Sequence, residues 1–356
     1  MSKAIVWVGV LVALVGLGFG GHWYAGRYMS QRALTPKALG NATPAAAKLP
    51  FARVAVASGD RTLIGWWVKA APQGTTPAPA VLFFHGNAST ISDYVDLQKF
   101  FFRQGISSFV FDYTGFGGSG GTASLTNVVS DAASVSRVFA DSAGKIARKV
   151  AMGSALGATV LLQAIDSVQG HVNGIVVEGV DASVKEAAVK SGRLPKLLAP
   201  VVADIANNVA AAANVRVPAL FVHSKKDERA PIEGAERVMA AVPSKASLIK
   251  HWRPGHSAIL ASSKACDWAP VLAFIKSGAL PPAKMDSTDV CAVEKAQADS
   301  AKARAAALAA EQAKANAKKP ASRKAPSKPP LKAPSKSKPS AKAPASSTKA
   351  PAKKPR

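Results

Sequence analysis

The run Lys149-Val150-Ala151-Met152-Gly153-Ser154-Ala155-Leu156-Gly157-Ala158 joins an apolar strand-like stretch to helix-forming residues through two glycines four positions apart. Such a pattern describes a strand that turns sharply into a helix and lifts the central residue of the turn above the sheet, where a serine would serve as a nucleophile. The central residue here is Ala155, with Gly153 and Gly157 disposed around it. Centring the turn on Ser154 would require glycines where Met152 and Leu156 stand. Ser154 is a substitute nucleophile only if a displacement of about 3.8 Å along the chain can be absorbed by a geometry that tolerates about 0.5 Å.

The partners that such a nucleophile needs occur in order along the chain. Val81 to Phe84 reads as a buried strand leading into His85-Gly86-Asn87. The backbone N–H groups of Asn87 and, later, Leu156 would form an oxyanion hole, with His85 and Gly86 shaping its loop. Ala219 to His223 reads as a late strand with Asp227 just beyond its end, and Gly255-His256-Ser257 follows the next apolar run. Nucleophile position, acid and base thus come in the order Ala155, Asp227, His256, in which Asp227 would orient His256 as general base. Asp181 is a reserve acid. His223, inside a strand, and His85 read as structural, and Ser119 and Ser257 lie in loops with no turn to activate them.

These segments resemble the α/β-hydrolase family, and within it the membrane-anchored group related to serine aminopeptidases and acylglycerol lipases. The resemblance is carried by His85-Gly86-Asn87, Asp112-Tyr113-Thr114-Gly115-Phe116-Gly117-Gly118-Ser119-Gly120, the turn from Gly153 to Gly157, Glu178-Gly179, Asp227 with Pro231, and Gly255-His256, spread over residues 51–280. It implies an α/β-hydrolase fold, serine-dependent cleavage of ester or amide bonds, and no cofactor or metal. Two departures stand out: the family usually has arginine at the position of Thr114, and it needs serine at that of Ala155.

Length and composition agree with one such domain plus extensions. A chain of 356 residues with 48% hydrophobic content can bury one large core. Strand-like runs alternate with helix-like stretches such as Asn127 to Ala140 and Ala155 to Val168, the pattern of a mostly parallel sheet with helices on both faces. The alanine-rich stretch from Val184 to Val215 reads as helical, either a small cap over the site or an ordinary crossover. The expected organisation is an N-terminal membrane helix over 1–26, a linker over 27–50, the hydrolase domain over 51–290, an alanine-rich helix over 291–319, and a disordered tail over 320–356.

Ala4 to Gly21 carries no charge and is followed by His22, Trp23, Tyr24 and Arg27, which suits a single membrane span, with a cleaved signal sequence as the alternative. Cys266 and Cys291 are the only cysteines; they are either a staple, favouring an extracytoplasmic domain, or two thiols. Residues 295–356 hold 17 of the 46 Lys+Arg against Asp299 and Glu311, and so carry +15 of the formal charge of +25. From Pro320 onward Lys, Pro, Ala and Ser alternate without acid or aromatic residue, a composition suited to gripping a polyanion such as nucleic acid, anionic lipid or envelope polymer.

Three functions follow as expectations. One is a pseudohydrolase whose pocket binds an acyl or peptide ligand. Another is an active esterase, lipase or peptidase using Ser154 or a water activated by His256 and Asp227. The third is a scaffold that presents the basic tail.

Overall fold

The computed structural model describes residues 34–317 apart from 73–76, 145–146, 252 and 287–289. The expected membrane helix, the linker up to residue 33 and the whole of the tail lie outside the described residues. Among the described residues no helix is long and apolar enough to cross a membrane.

Among the described residues nine strands form one sheet: β1 (Phe51–Ser58), β2 (Arg61–Val68), β3 (Ala80–Phe84), β4 (Ser107–Phe111), β5 (Lys149–Ser154), β6 (Gly174–Glu178), β7 (Ala219–Ser224), β8 (Ala246–His251) and β9 (Lys284–Asp286), in the order β1-β2-β4-β3-β5-β6-β7-β8-β9. From β4 to β9 neighbouring strands are parallel, and β2 joins β4 antiparallel. Every residue of β3, β4, β6 and β7 is buried, which explains their unbroken apolar runs, because helices cover both faces of a parallel sheet. The outer β1 is instead exposed over Phe51 to Arg53 and alternates between exposed and buried only from Ala55 to Ser58.

The main connecting helices are α1 (Val95–Arg103), α2 (Leu125–Ala143), α3 (Leu156–Gln163), α4 (Ile165–Val168), α5 (Val184–Lys190), α6 (Asn208–Ala212), α7 (Ile232–Ala240) and α8 (Ala269–Ser277). They divide the core into two apolar clusters. One joins Val128, Val135 and Phe139 of α2 and Leu161 of α3 to Leu82, Phe84 and Val177. The other joins Val95 and Phe101 of α1 and Val271 and Phe274 of α8 to Val81, Phe83 and Val176. Consecutive sheet residues alternate between the clusters, as strand periodicity requires.

The alanine-rich stretch from Val184 to Val215 is less helical than its composition suggests. Gly192, Pro195 and Pro200 limit it to the short α5 and α6 and a 3-10 turn over Lys196–Val201, since proline lacks the N–H that a helix interior needs. Residues 34–49, within the stretch read as a linker, are pinned to the sheet's loops. Leu34 is buried in the core with Tyr113 and Phe116, Gly117 donates to the Lys37 carbonyl at 2.8 Å, and Lys37 pairs with Asp93 at 3.2 Å. A last helix, α9 (Val290–Ala317), crosses the division of the chain into two compact units at Asp299 and Ser300.

Candidate active site

The strand order changes direction at β3, which sends the chain to β4 on one side and pairs with β5 on the other. Crevices in α/β sheets open at the carboxyl ends of strands at such a point. Phe84-His85-Gly86-Asn87 and Ser154-Ala155 stand there.

Sterics fix the register of the turn between β5 and α3. A Cβ on Gly157 would stand 1.9 Å from the carbonyl oxygen of Phe84, and one on Gly153 would stand 2.4 Å from that of Gly157. The helix therefore enters against β3 only because both positions lack side chains. Between them Ala155 has φ 53 and ψ −114, a conformation that costs a non-glycine residue about 1–3 kcal/mol. Its N–H donates to the Glu178 carbonyl at 2.9 Å. Leu156 is the first residue of α3, where a helix offers N–H groups without intrahelical acceptors.

Ser154 is buried, and its Oγ lies 2.7 Å from the Oγ of Ser257. Ser154 pairs with Glu178 across β5 and β6, and the Glu178 carboxylate accepts from the N–H groups of Ile259 at 2.9 Å and Leu260 at 3.3 Å. Burial pushes the Glu178 pKa up to about 7, against the opposing pull of the Ile259 N–H and the Ser154 hydroxyl.

His256 donates from Nδ1 to Asp227 Oδ2 at 2.8 Å, and Asp227 Oδ1 accepts from the N–H groups of Arg229 and Ala230, each at 2.9 Å. Burial works to raise the Asp227 pKa, but the His256 hydrogen bond and these N–H groups outweigh it and hold the carboxyl below its ordinary value. The His256 ring lies against the end of β6: its Cε1 is 3.4 Å from where a Cβ on Gly179 would stand. Ala155 and His256 thus flank the same Glu178-Gly179 peptide, and their neighbours Ser154 and Ser257 are hydrogen-bonded to each other.

The remaining candidates hold the frame. His223 donates from Nε2 to the Ala230 carbonyl at 2.8 Å. His85 is buried, donates from Nδ1 to the Gly86 carbonyl at 2.8 Å, and has its pKa lowered by burial to about 4. Ser119 donates to the Asp112 carbonyl at 2.6 Å. Burial raises the Asp181 pKa to about 6, with His256 opposing it. The Asn87 side chain ties the turn after β3 down, its Oδ1 accepting from the N–H groups of Thr35 at 2.8 Å and Ala88 at 3.1 Å.

Thr114 is held by a buried carboxylate rather than left open. Thr114 donates twice to the buried Asp131, at 2.8 and 2.9 Å, and Arg61 on β2 brings a guanidinium to within 3.6 Å of the same carboxylate. Sequence reading missed Arg61 beside Asp131 and the burial of the Glu178 carboxylate under the Ile259 and Leu260 N–H groups, because neither neighbourhood has a local spacing to betray it. Among the described residues no group of His, Cys, Asp and Glu could hold a metal ion.

Two family descriptions match overlapping parts of this domain: serine aminopeptidase, S33, over residues 75–210, and TAP-like protein over residues 200–289. The chain belongs to the α/β-hydrolase family. It is 29% identical over 200 residues to an uncharacterized protein of Mycobacterium tuberculosis, covering 55% of this chain and 69% of the relative. A protein of Saccharomyces cerevisiae named an uncharacterized membrane protein is 25% identical over 207 residues, covering 57% and 72%. The fold is similar to that of the Pyrococcus furiosus esterase Pf2001, with a TM-score of 0.52 at 18% identity, covering 64% of this chain and 91% of the esterase.

Proposed function

We propose that this α/β-hydrolase-family protein is a pseudohydrolase: it binds an acyl or peptide ligand at the carboxyl ends of β3 and β5 and does not cleave it. The observation that carries this reading is Ala155, a methyl side chain with φ 53 between two glycines that the packing demands. Removing the nucleophile from a serine triad elsewhere has cost about a millionfold in turnover, equivalent to about 8 kcal/mol of barrier. Ser154 does not replace it on this reading, since its hydroxyl is engaged with Ser257 in a part-buried hydrogen bond. The uncharged Ala4 to Gly21 and the yeast relative's description as a membrane protein support a single N-terminal anchor as part of the same proposal.

One observation favours a second reading. The His256–Asp227 hydrogen bond is intact at 2.8 Å, and such a pair can activate water. Assay of the purified protein with p-nitrophenyl esters and a fluorophosphonate separates the two. The pseudohydrolase predicts no turnover above background and no labelling. Turnover abolished by His256→Ala supports water activation, and labelling abolished by Ser154→Ala would make Ser154 the nucleophile.

A further inference from the structure

The insertion between β6 and β7 leaves the sheet and returns through a narrow neck. Ser183 and Asn207 form an antiparallel bridge, Val184 donates to the Ala206 carbonyl at 3.0 Å, and Asn208 donates to the Ala182 carbonyl at 2.9 Å. Beyond the neck, Leu194 is buried, whereas Leu197 is 87% and Leu198 48% exposed. Among the described residues only Leu39, Phe51 and Leu308 are other large apolar side chains so exposed, and only at the insertion's tip do two adjoin. Pro195 and Pro200 beside them are exposed as well.

Along the chain that carries these leucines the charge is of one sign. Lys190, Arg193 and Lys196 are exposed, and no Asp or Glu occurs from Ala187 to Ala203. Glu186, just before, is committed to Arg237 on α7 through two contacts of 3.2 and 2.5 Å. The tip is therefore a pair of leucines preceded along the chain by three exposed cations. Scattered exposed apolar residues need no explanation, but contiguous ones bordered by basic residues match the two layers of an anionic bilayer surface, headgroup charge above and acyl chain below.

We propose that the tip formed by Leu197 and Leu198 inserts into an anionic lipid surface, with Lys190, Arg193 and Lys196 held at the headgroups. This contact is separate from the N-terminal segment and the basic tail. Its neck adjoins Asp181, which interacts electrostatically with His256 and Asp227, so docking would set the candidate site close to the bilayer.

The test keeps the whole chain and reads the tip alone. Leu197→Cys is labelled with bimane on the non-reduced protein, and Asp141→Cys, at an exposed position of α2, serves as control. Vesicles of phosphatidylcholine and phosphatidylglycerol carrying brominated acyl chains should shift the 197 label to the blue and quench it, while the 141 label stays unchanged. Replacing Lys190, Arg193 and Lys196 together by Gln should restore the unquenched emission. An unchanged 197 label would overturn the proposal, as would equal quenching by pure phosphatidylcholine. A blue shift that grows with protein concentration without vesicles would assign the patch to a second copy of the chain instead.

Discussion

At the scale of residues, the candidate site was readable wherever sterics act over a few positions. Gly153 and Gly157 betray the turn because strand and helix cannot approach with a Cβ between them, and their spacing alone points to Ala155. Gly157→Ala should accordingly lower stability by about 3 kcal/mol or more, measured by denaturant unfolding; a loss under about 1 kcal/mol would mean that the turn does not hold the helix against β3. The role of Ser154 was not readable, because its partner Ser257 lies 103 positions away and reaches it through a loop residue with φ 56. Nothing local in Gly255-His256-Ser257 announces that conformation.

At the scale of elements, the fully buried strands were plain in their apolar runs, while the insertion after β6, read as helical from alanine content, is helical only in short pieces. Glycine and proline placement decided it instead. Strand β6 also carries a titration that no sequence pattern showed. Glu178 ordinarily titrates at 4.5, and burial raises it to about 7 in the folded protein. Between those values the folded state holds a proton that the unfolded state has lost, so stability declines as pH rises. Relative to Glu178→Gln, the wild type should lose about 3 kcal/mol between pH 4.5 and 7. His85, lowered to about 4, has the opposite sign, so the test is the difference between the two proteins' unfolding curves; a difference independent of pH would show that Glu178 is charged throughout.

At the scale of the whole molecule, the termini remain the part that composition alone describes. We propose that residues 320–356 bind a polyanion. Their removal should leave the melting temperature of the domain unchanged, for they offer almost no apolar surface to bury, and should abolish salt-sensitive binding to DNA or anionic vesicles. A drop of several degrees on truncation would contradict this. The proposed anchor predicts that the full chain stays with membranes through an alkaline carbonate wash, whereas a chain beginning at Arg27 is released. Beginning further in is no fair comparison, because Leu34 belongs to the core and Thr35 hydrogen-bonds Asn87.

The central claim is that Ala155 occupies the nucleophile position of an otherwise assembled site, and fluorophosphonate labelling of Ala155→Ser tests it most directly. A hydroxyl there should come within reach of His256, oriented by Asp227, so the variant should label covalently where the wild type does not, and the label should vanish in Ala155→Ser with His256→Ala. A folded Ala155→Ser protein that takes no label, or a wild type that labels through Ser154, would contradict the account.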